Sequence, residues 1–165
     1  MLIVPVAQCT PRELDELLAT RELNELLATR ELVVAIGEGE LRGSSAAAAM
    51  FAGWCVLDPD ARIVLDTPAA WAGAAWRIGE RAYALWLRGV TEFDAATALK
   101  EGLCDAIGSH FDIGTRSELA LDSAAALIQR RGGDALERAE FARLFAAGEP
   151  QKGLSAFLEK RTPRF

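Results

Sequence analysis

The residues of this chain that could do chemistry are few, and they are dispersed. Ser44 and Ser45 follow Gly43 at the head of the alanine-rich run 46–49. A hydroxyl there is a nucleophile only with a base in hydrogen-bond reach. The backbone N–H groups of the same turn, unpaired at a helix start, suit a different task, the stabilisation of a developing negative charge. The carboxylates that could serve these residues include Glu38, Glu40, Asp66 and Glu80. A positioned carboxylate transfers protons, but Glu38, Glu40 and Glu80 read as solvated surface charges. His110, the one histidine, falls in Gly108-Ser109-His110-Phe111-Asp112 and reads as a surface histidine in a loop. Cys9, Cys55 and Cys104 have no C-x-x-C spacing, so neither a disulfide framework nor a metal site is expected. Lys160, Arg161 and Arg164 gather cationic charge at the C-terminal end.

The whole composition narrows the setting for these groups. A chain of 165 residues fits one domain with a real core, and a 51% apolar content is that of a globular protein. A net charge of -6 without a basic stripe argues against nucleic acid as a partner. The unpatterned cysteines fit a reducing cytoplasm. The start MLIVPV has no basic n-region, so no signal peptide is expected. The longest apolar stretch, Ala46 to Leu57, falls short of the ~20 residues that span a bilayer. It reads as a buried helix, and no membrane partner is expected.

The elements that must position these groups alternate. Leu2 to Val6 reads as a strand, and Thr10, Pro11 and Glu13 as a helix start. A direct repeat follows, RELDELLAT (12–20) and RELNELLAT (21–29). Nine residues at ~100° each turn a continuous helix by about half a turn beyond two full ones, which places the leucines of the two copies on opposite faces. The sevenfold spacing of a coiled coil is absent. Leu32 to Ile36 reads as a second strand, and Gly43-Ser44-Ser45 opens a helix that ends near Gly53. Asp58-Pro59-Asp60 is a turn, and Arg62 to Leu65 a strand. Ala69 to Trp76 and Arg81 to Leu87 read as helices either side of Gly79. Asp94 caps a helix that Gly102 stops, and Leu103 to Ile107 returns as a strand. From Arg116 the chain reads as three helices, broken at Gly132-Gly133 and Gly148-Glu149-Pro150. Phe141, Leu144 and Phe145 read as core, with contact between subunits as the alternative, the four tryptophans as packing residues, and Trp71 and Trp76 as candidates to line a pocket. Strands alternate with helices first and helices dominate last, the pattern of an α/β core with a helical C-terminal part.

Five pieces, in order, resemble segments of the crotonase (enoyl-CoA hydratase/isomerase) superfamily. Gly39-Glu40-Leu41-Arg42-Gly43-Ser44-Ser45 is similar to its G-x-A-x-G-G-G element, and Asp60-Ala61-Arg62-Ile63 to its D-A-R-F. Ile78-Gly79-Glu80-Arg81-Ala82 with Leu85 and Gly89 resembles V-G-R-A…L…G. Residues 94–105 resemble D-A-x-x-A-x-x-x-G-L-V-D, and Gly153 to Phe165 resembles G-x-x-A-F-L-E-K-R-x-P-x-F. The resemblance implies a ClpP/crotonase-like β-β-α spiral core over 1–110, shortened at its N-terminal side, and a helical trimerisation region over 111–165. It implies an acyl-CoA thioester as substrate, with no separate cofactor, and a homotrimer or a hexamer of paired trimers.

By the same resemblance, Ser44 N–H, beside Gly43, takes the place of one of two backbone oxyanion donors, and Cys9-Thr10 lies where the other would be. Capping of a core helix is the alternative role for Ser44 and Ser45, and both stay open. The family's two glutamates are replaced, one by Ala47 and the other, of a P-E pair, at Asp66-Thr67. Ordinary hydratase activity is therefore doubtful, with Asp66 as the one nearby substitute. Phe157 and Lys160 take the place of residues that approach the CoA adenine and phosphates. Two further readings stand: a non-catalytic acyl-CoA-binding or structural oligomer, and a Clp-type serine peptidase using Ser44 or Ser45 with His110.

Overall fold

The computed structural model describes residues 2–5, 32–112, 114–129 and 133–165. Cys9, Thr10 and the nine-residue repeat lie outside the described residues. Short apolar runs supply the first sheet, whose strands are β1 (Leu2–Pro5), β2 (Val33–Gly37), β4 (Trp54–Leu57) and β7 (Ala106–Ile107), in the order β1-β2-β4-β7. Every pairing in it is parallel, with Leu2 opposite Val33, Val34 opposite Trp54 and Val56 opposite Ala106. Parallel strands need crossovers, and helices supply them between β2 and β4 and between β4 and β7. A smaller sheet is built from β3 (Glu40–Leu41), β5 (Arg62–Val64) and β6 (Glu92–Asp94), with β5 parallel to β3 and antiparallel to β6.

Seven helices are present among the described residues. They are α1 (Ser44–Phe51), α2 (Pro68–Ile78), α3 (Arg81–Leu87), α4 (Ala95–Glu101), α5 (Glu118–Gln129), α6 (Asp134–Ala146) and α7 (Glu149–Leu158). The expected caps are in place: Asp94 accepts the Thr97 N–H at 2.7 Å, and Gly102 ends α4 in the left-handed conformation at φ 83°. The described residues fall into two compact units, 2–5 with 33–111, and Leu32 with 112–165.

Three expectations are corrected. Ala46 to Leu57 is not one helix: α1 ends at Phe51, and Trp54–Leu57 is a strand with Cys55, Val56 and Leu57 buried. A run that is apolar throughout has the same look in a buried strand as in a buried helix. Leu103 to Ile107 shortens to Ala106–Ile107, because the Leu103 and Cys104 N–H groups turn back to the Ala98 carbonyl. Phe141 and Phe145 are not core. They are 61% and 45% exposed and lie ring to ring at 4.5 Å on the outside of α6.

The core of the first unit is built mostly from small residues. Ala46, Ala47, Ala49 and Met50 of α1 are fully buried, and so are Ala70 and Ala74 of α2. A Cβ on Gly73 would stand 2.6 Å from the Met50 Cβ, so glycine is what lets the two helices approach. Leu41, Ile63, Leu65, Phe93 and Leu103 fill the space beside them, each contributing about 1.5–3 kcal/mol by burial.

One ion pair knits this unit together. Arg77, whose side chain is 8% exposed, reaches Asp105 at 2.6 Å and donates to the Ala52 carbonyl at 2.7 Å. Asp105 in turn accepts the Cys55 N–H at 2.7 Å. The last carbonyls of α1, the start of β4 and the approach to β7 thus share one charged knot. Cys55 and Cys104, both free thiols, are buried close by, and burial pushes them up to about 12 and about 11.

In the second unit, Arg143 joins α6 to α5 by donating to Glu140 at 2.9 Å and to Ser123 Oγ at 2.6 Å. Glu149, at the start of α7, pairs with Lys152 at 2.7 Å. That bond, with help from Ser117, holds its carboxyl below the usual range against the opposing effect of burial.

Candidate active site

The head of α1 and the turn before α2 meet through one carboxylate. Asp66 Oδ1 accepts the Gly43 N–H at 2.9 Å, and Oδ2 accepts from Arg42 Nε at 3.2 Å. These bonds, the Gly43 one foremost, hold the Asp66 carboxyl below the usual carboxylate range. Gly43 sits at φ 57° and ψ -125°, a conformation that glycine alone tolerates well, and precedes α1 without a side-chain cap. Ser45 Oγ accepts the Arg42 N–H at 2.9 Å and donates to the Arg42 carbonyl at 2.8 Å. Ser45 therefore braces the turn, and its hydroxyl is engaged with backbone. Ser44 is the first residue of the helix, so its N–H belongs to the four that no intrahelical carbonyl accepts.

Thr67 is the N-cap of α2. Its Oγ1 accepts the Ala70 N–H at 3.2 Å, with Pro68 at the first helical position. The helix expected over Ala69 to Trp76 is this one, eleven residues long from Pro68 to Ile78. Ala47 is fully buried in the core.

An open cleft of about 590 Å³ borders the same turn. Its walls are Asp66, Thr67 and Pro68, then Trp71, Ala72 and Ala75 of α2, then Ala82, Tyr83 and Trp86 of α3. Trp71 lines it as expected. Trp76 does not line it, and Trp86, 58% exposed, is a cleft wall and not a core residue. Tyr83 and Trp86 went unnoticed as site residues in the sequence. The signal was there in their three-residue spacing on a helix with Ala82 and Leu85 buried behind them.

Gly43, Ser44, Ala47, Asp66 and Thr67 all belong to the unit that holds the cleft, and Asp66 and Thr67 border it. Phe157 and Lys160 belong to the other unit, at the C-terminal end of α7. Phe157 is 78% exposed, and with Leu154 and Leu158 it forms an uncovered apolar stripe. Lys160 takes a positive φ of 53°, with its N–H on the Phe157 carbonyl. Glu38, Glu80 and His110 are exposed, and Glu40 pairs with Arg42 at 3.2 Å on the surface. Among the described residues no cluster of His, Cys, Asp and Glu could hold a metal ion, and no helix is long and apolar enough to cross a membrane.

No protein-family model and no curated protein matches the sequence. Solved structures do match the fold. An enoyl-CoA hydratase/isomerase from Marinobacter aquaeolei is 21% identical over 87% of this chain, with a TM-score of 0.65. Another from Cupriavidus metallidurans is 22% identical over 87%, with a TM-score of 0.70. A Geobacillus kaustophilus enoyl-CoA hydratase structure is 20% identical over 97%, with a TM-score of 0.71. The chain spans 64%, 63% and 71% of these three proteins. Identity this low establishes the fold alone, and that fold is the mixed α/β architecture of the enoyl-CoA hydratase/isomerase proteins, the crotonase superfamily.

Proposed function

We propose that this protein binds an acyl-CoA thioester, with the thioester oxygen held at the head of α1 by the Ser44 N–H and the acyl group in the cleft between α2 and α3. The observation behind this reading is the cleft itself, mainly apolar and bordered by the residue that accepts the Gly43 N–H. A backbone donor at a helix start stabilises charge that develops on a carbonyl oxygen without having to reorganise.

Hydration of an enoyl-CoA has little support. Ala47 cannot move a proton, and Thr67 is committed to its cap. Asp66 is the remaining carboxylate, and its hydrogen bonds make it a weak base. Those bonds favour the second reading, a thioester-binding protein without turnover. The Clp-type peptidase reading loses Ser45 as nucleophile, since its hydroxyl is engaged by Arg42.

Phe157 and Lys160 are the proposed CoA contacts. The exposed stripe of Leu154, Phe157 and Leu158 supports assembly with further copies of the chain as a trimer. The buried reduced thiols support a reducing compartment, the cytoplasm.

The test is incubation with crotonyl-CoA and a panel of other acyl-CoAs, following binding and turnover together. Binding is expected. Turnover abolished by Asp66→Asn would assign chemistry to that carboxylate, binding without turnover identifies the non-catalytic form, and failure to bind any thioester overturns the reading.

A further inference from the structure

Three aromatic side chains line the cleft: Trp71, half-buried, also packs against the core, while Tyr83 and Trp86 stand mostly in solvent. Trp71, Tyr83 and Trp86 have no ring contact and no side-chain hydrogen bond among the described residues; the ring pairs lie elsewhere, at Trp54 with Phe111 and at Phe141 with Phe145. Tyr83 and Trp86 are 62% and 58% exposed, so large apolar surfaces stand in water around a concavity. The volume of about 590 Å³ falls in the ordinary range for small-molecule sites.

The remaining surfaces narrow the guest. Ala72, Ala75 and Ala82 are small, which leaves room for a flat body to lie against the helices while the three rings flank it. Asp66 is the one ionised group, and its charge is already answered by Gly43 N–H and Arg42, so a cationic guest finds no free counter-charge. An anionic guest would meet that carboxylate as a like charge. A neutral apolar group remains. Between an alkyl chain and a ring of similar size, burial is comparable. Only the ring adds face and edge contacts to aromatic walls, and each such pair adds about two- to tenfold in affinity beyond burial.

We propose that the cleft selects a flat aromatic acyl group, presented as its CoA thioester. This rests on the acyl-CoA reading above and sharpens it to a substrate class. The cleft's specificity-determining residues are then Trp71, Tyr83 and Trp86.

Titration of the full chain with benzoyl-CoA, hexanoyl-CoA and free CoA tests it, followed by calorimetry and tryptophan fluorescence. The expected result is benzoyl-CoA binding about tenfold more tightly than hexanoyl-CoA, with quenching of tryptophan emission. Trp86→Ala and Tyr83→Ala change side chains that are more than half exposed, so the fold is retained. Each is expected to weaken benzoyl-CoA several-fold more than hexanoyl-CoA, while Trp76→Ala, outside the cleft, shifts neither. Equal affinity for the two thioesters, or a benzoyl preference unchanged in both cleft variants, overturns the aromatic selection and leaves acyl-CoA binding standing. Absence of binding by either thioester overturns both.

Discussion

Asp66 and Gly43 are joined by a carboxylate-to-backbone hydrogen bond of 2.9 Å that ties the exit of β5 to the entry of α1. The carboxylate supplies, from within the chain, the negative charge that a helix head favours. Because its folded value is depressed, the stability it contributes is whole above the unfolded carboxylate value of about 3.9 and drains away as pH falls through the lower folded value. Carboxyl carbon NMR should therefore place the Asp66 midpoint below that of a model aspartate. Asp66→Asn should leave a shallower loss of stability between neutral pH and pH 3. A midpoint at or above the ordinary value would show that the bond is absent in solution.

Arg77 and Asp105 offer the largest single-site effect. Asp105→Ala strands a guanidinium that is 8% exposed and frees the Cys55 N–H, a loss of about 3–5 kcal/mol in urea unfolding. Arg81→Ala breaks a pair whose arginine is 57% exposed and should cost about 0.5 kcal/mol. Similar costs for the two variants would mean that the Arg77 knot is solvated.

Gly73→Ala should destabilise, although alanine is the better helix former. The intrinsic gain of about 1 kcal/mol is outweighed by a Cβ 2.6 Å from the Met50 Cβ, which has no flexible end to move aside. A net loss of about 1–3 kcal/mol is expected from thermal unfolding. A rise in Tm would show that α1 and α2 separate easily.

Cys55 and Cys104 should be inert. With burial holding them at about 12 and about 11, almost no thiolate exists at pH 8. In a Cys9→Ala background, a disulfide reagent should label no thiol in the folded protein and two in urea. Since the unfolded thiols ionise near 8.5 and the folded ones do not, the folded state holds more protons in alkali, so stability should decline as pH rises above about 9. Rapid labelling of the native protein at pH 8 would contradict the buried placement.

Much of the fold is legible residue by residue. Asp94 and Gly102 announce the start and stop of α4 because each meets a need of the local backbone. Helix and strand separate poorly within Ala46 to Leu57, where every face is buried and the periodic signal vanishes. Thr67 shows the same limit at the site: the family resemblance sets it at a carboxylate position, while Thr67-Pro68 is the local signature of a helix cap. Trp71, Tyr83 and Trp86 come from two helices, and only tertiary packing turns them into walls of one cleft.

The pairing of β1 with β2 bears on the nine-residue repeat in another way. Leu2 stands opposite Val33, so the repeat lies in the segment that closes this strand pair. Closing such a segment costs entropy that grows only with the logarithm of its length, and removing nine residues changes that cost by about 0.4 kcal/mol. Deletion of Arg21 to Thr29 should then leave the unfolding midpoint nearly unchanged, and a large shift would show that the second copy makes contacts of its own. In the economy of chain length, such a duplication is almost neutral, and a lineage could gain or lose it without disturbing the sheet that its ends join.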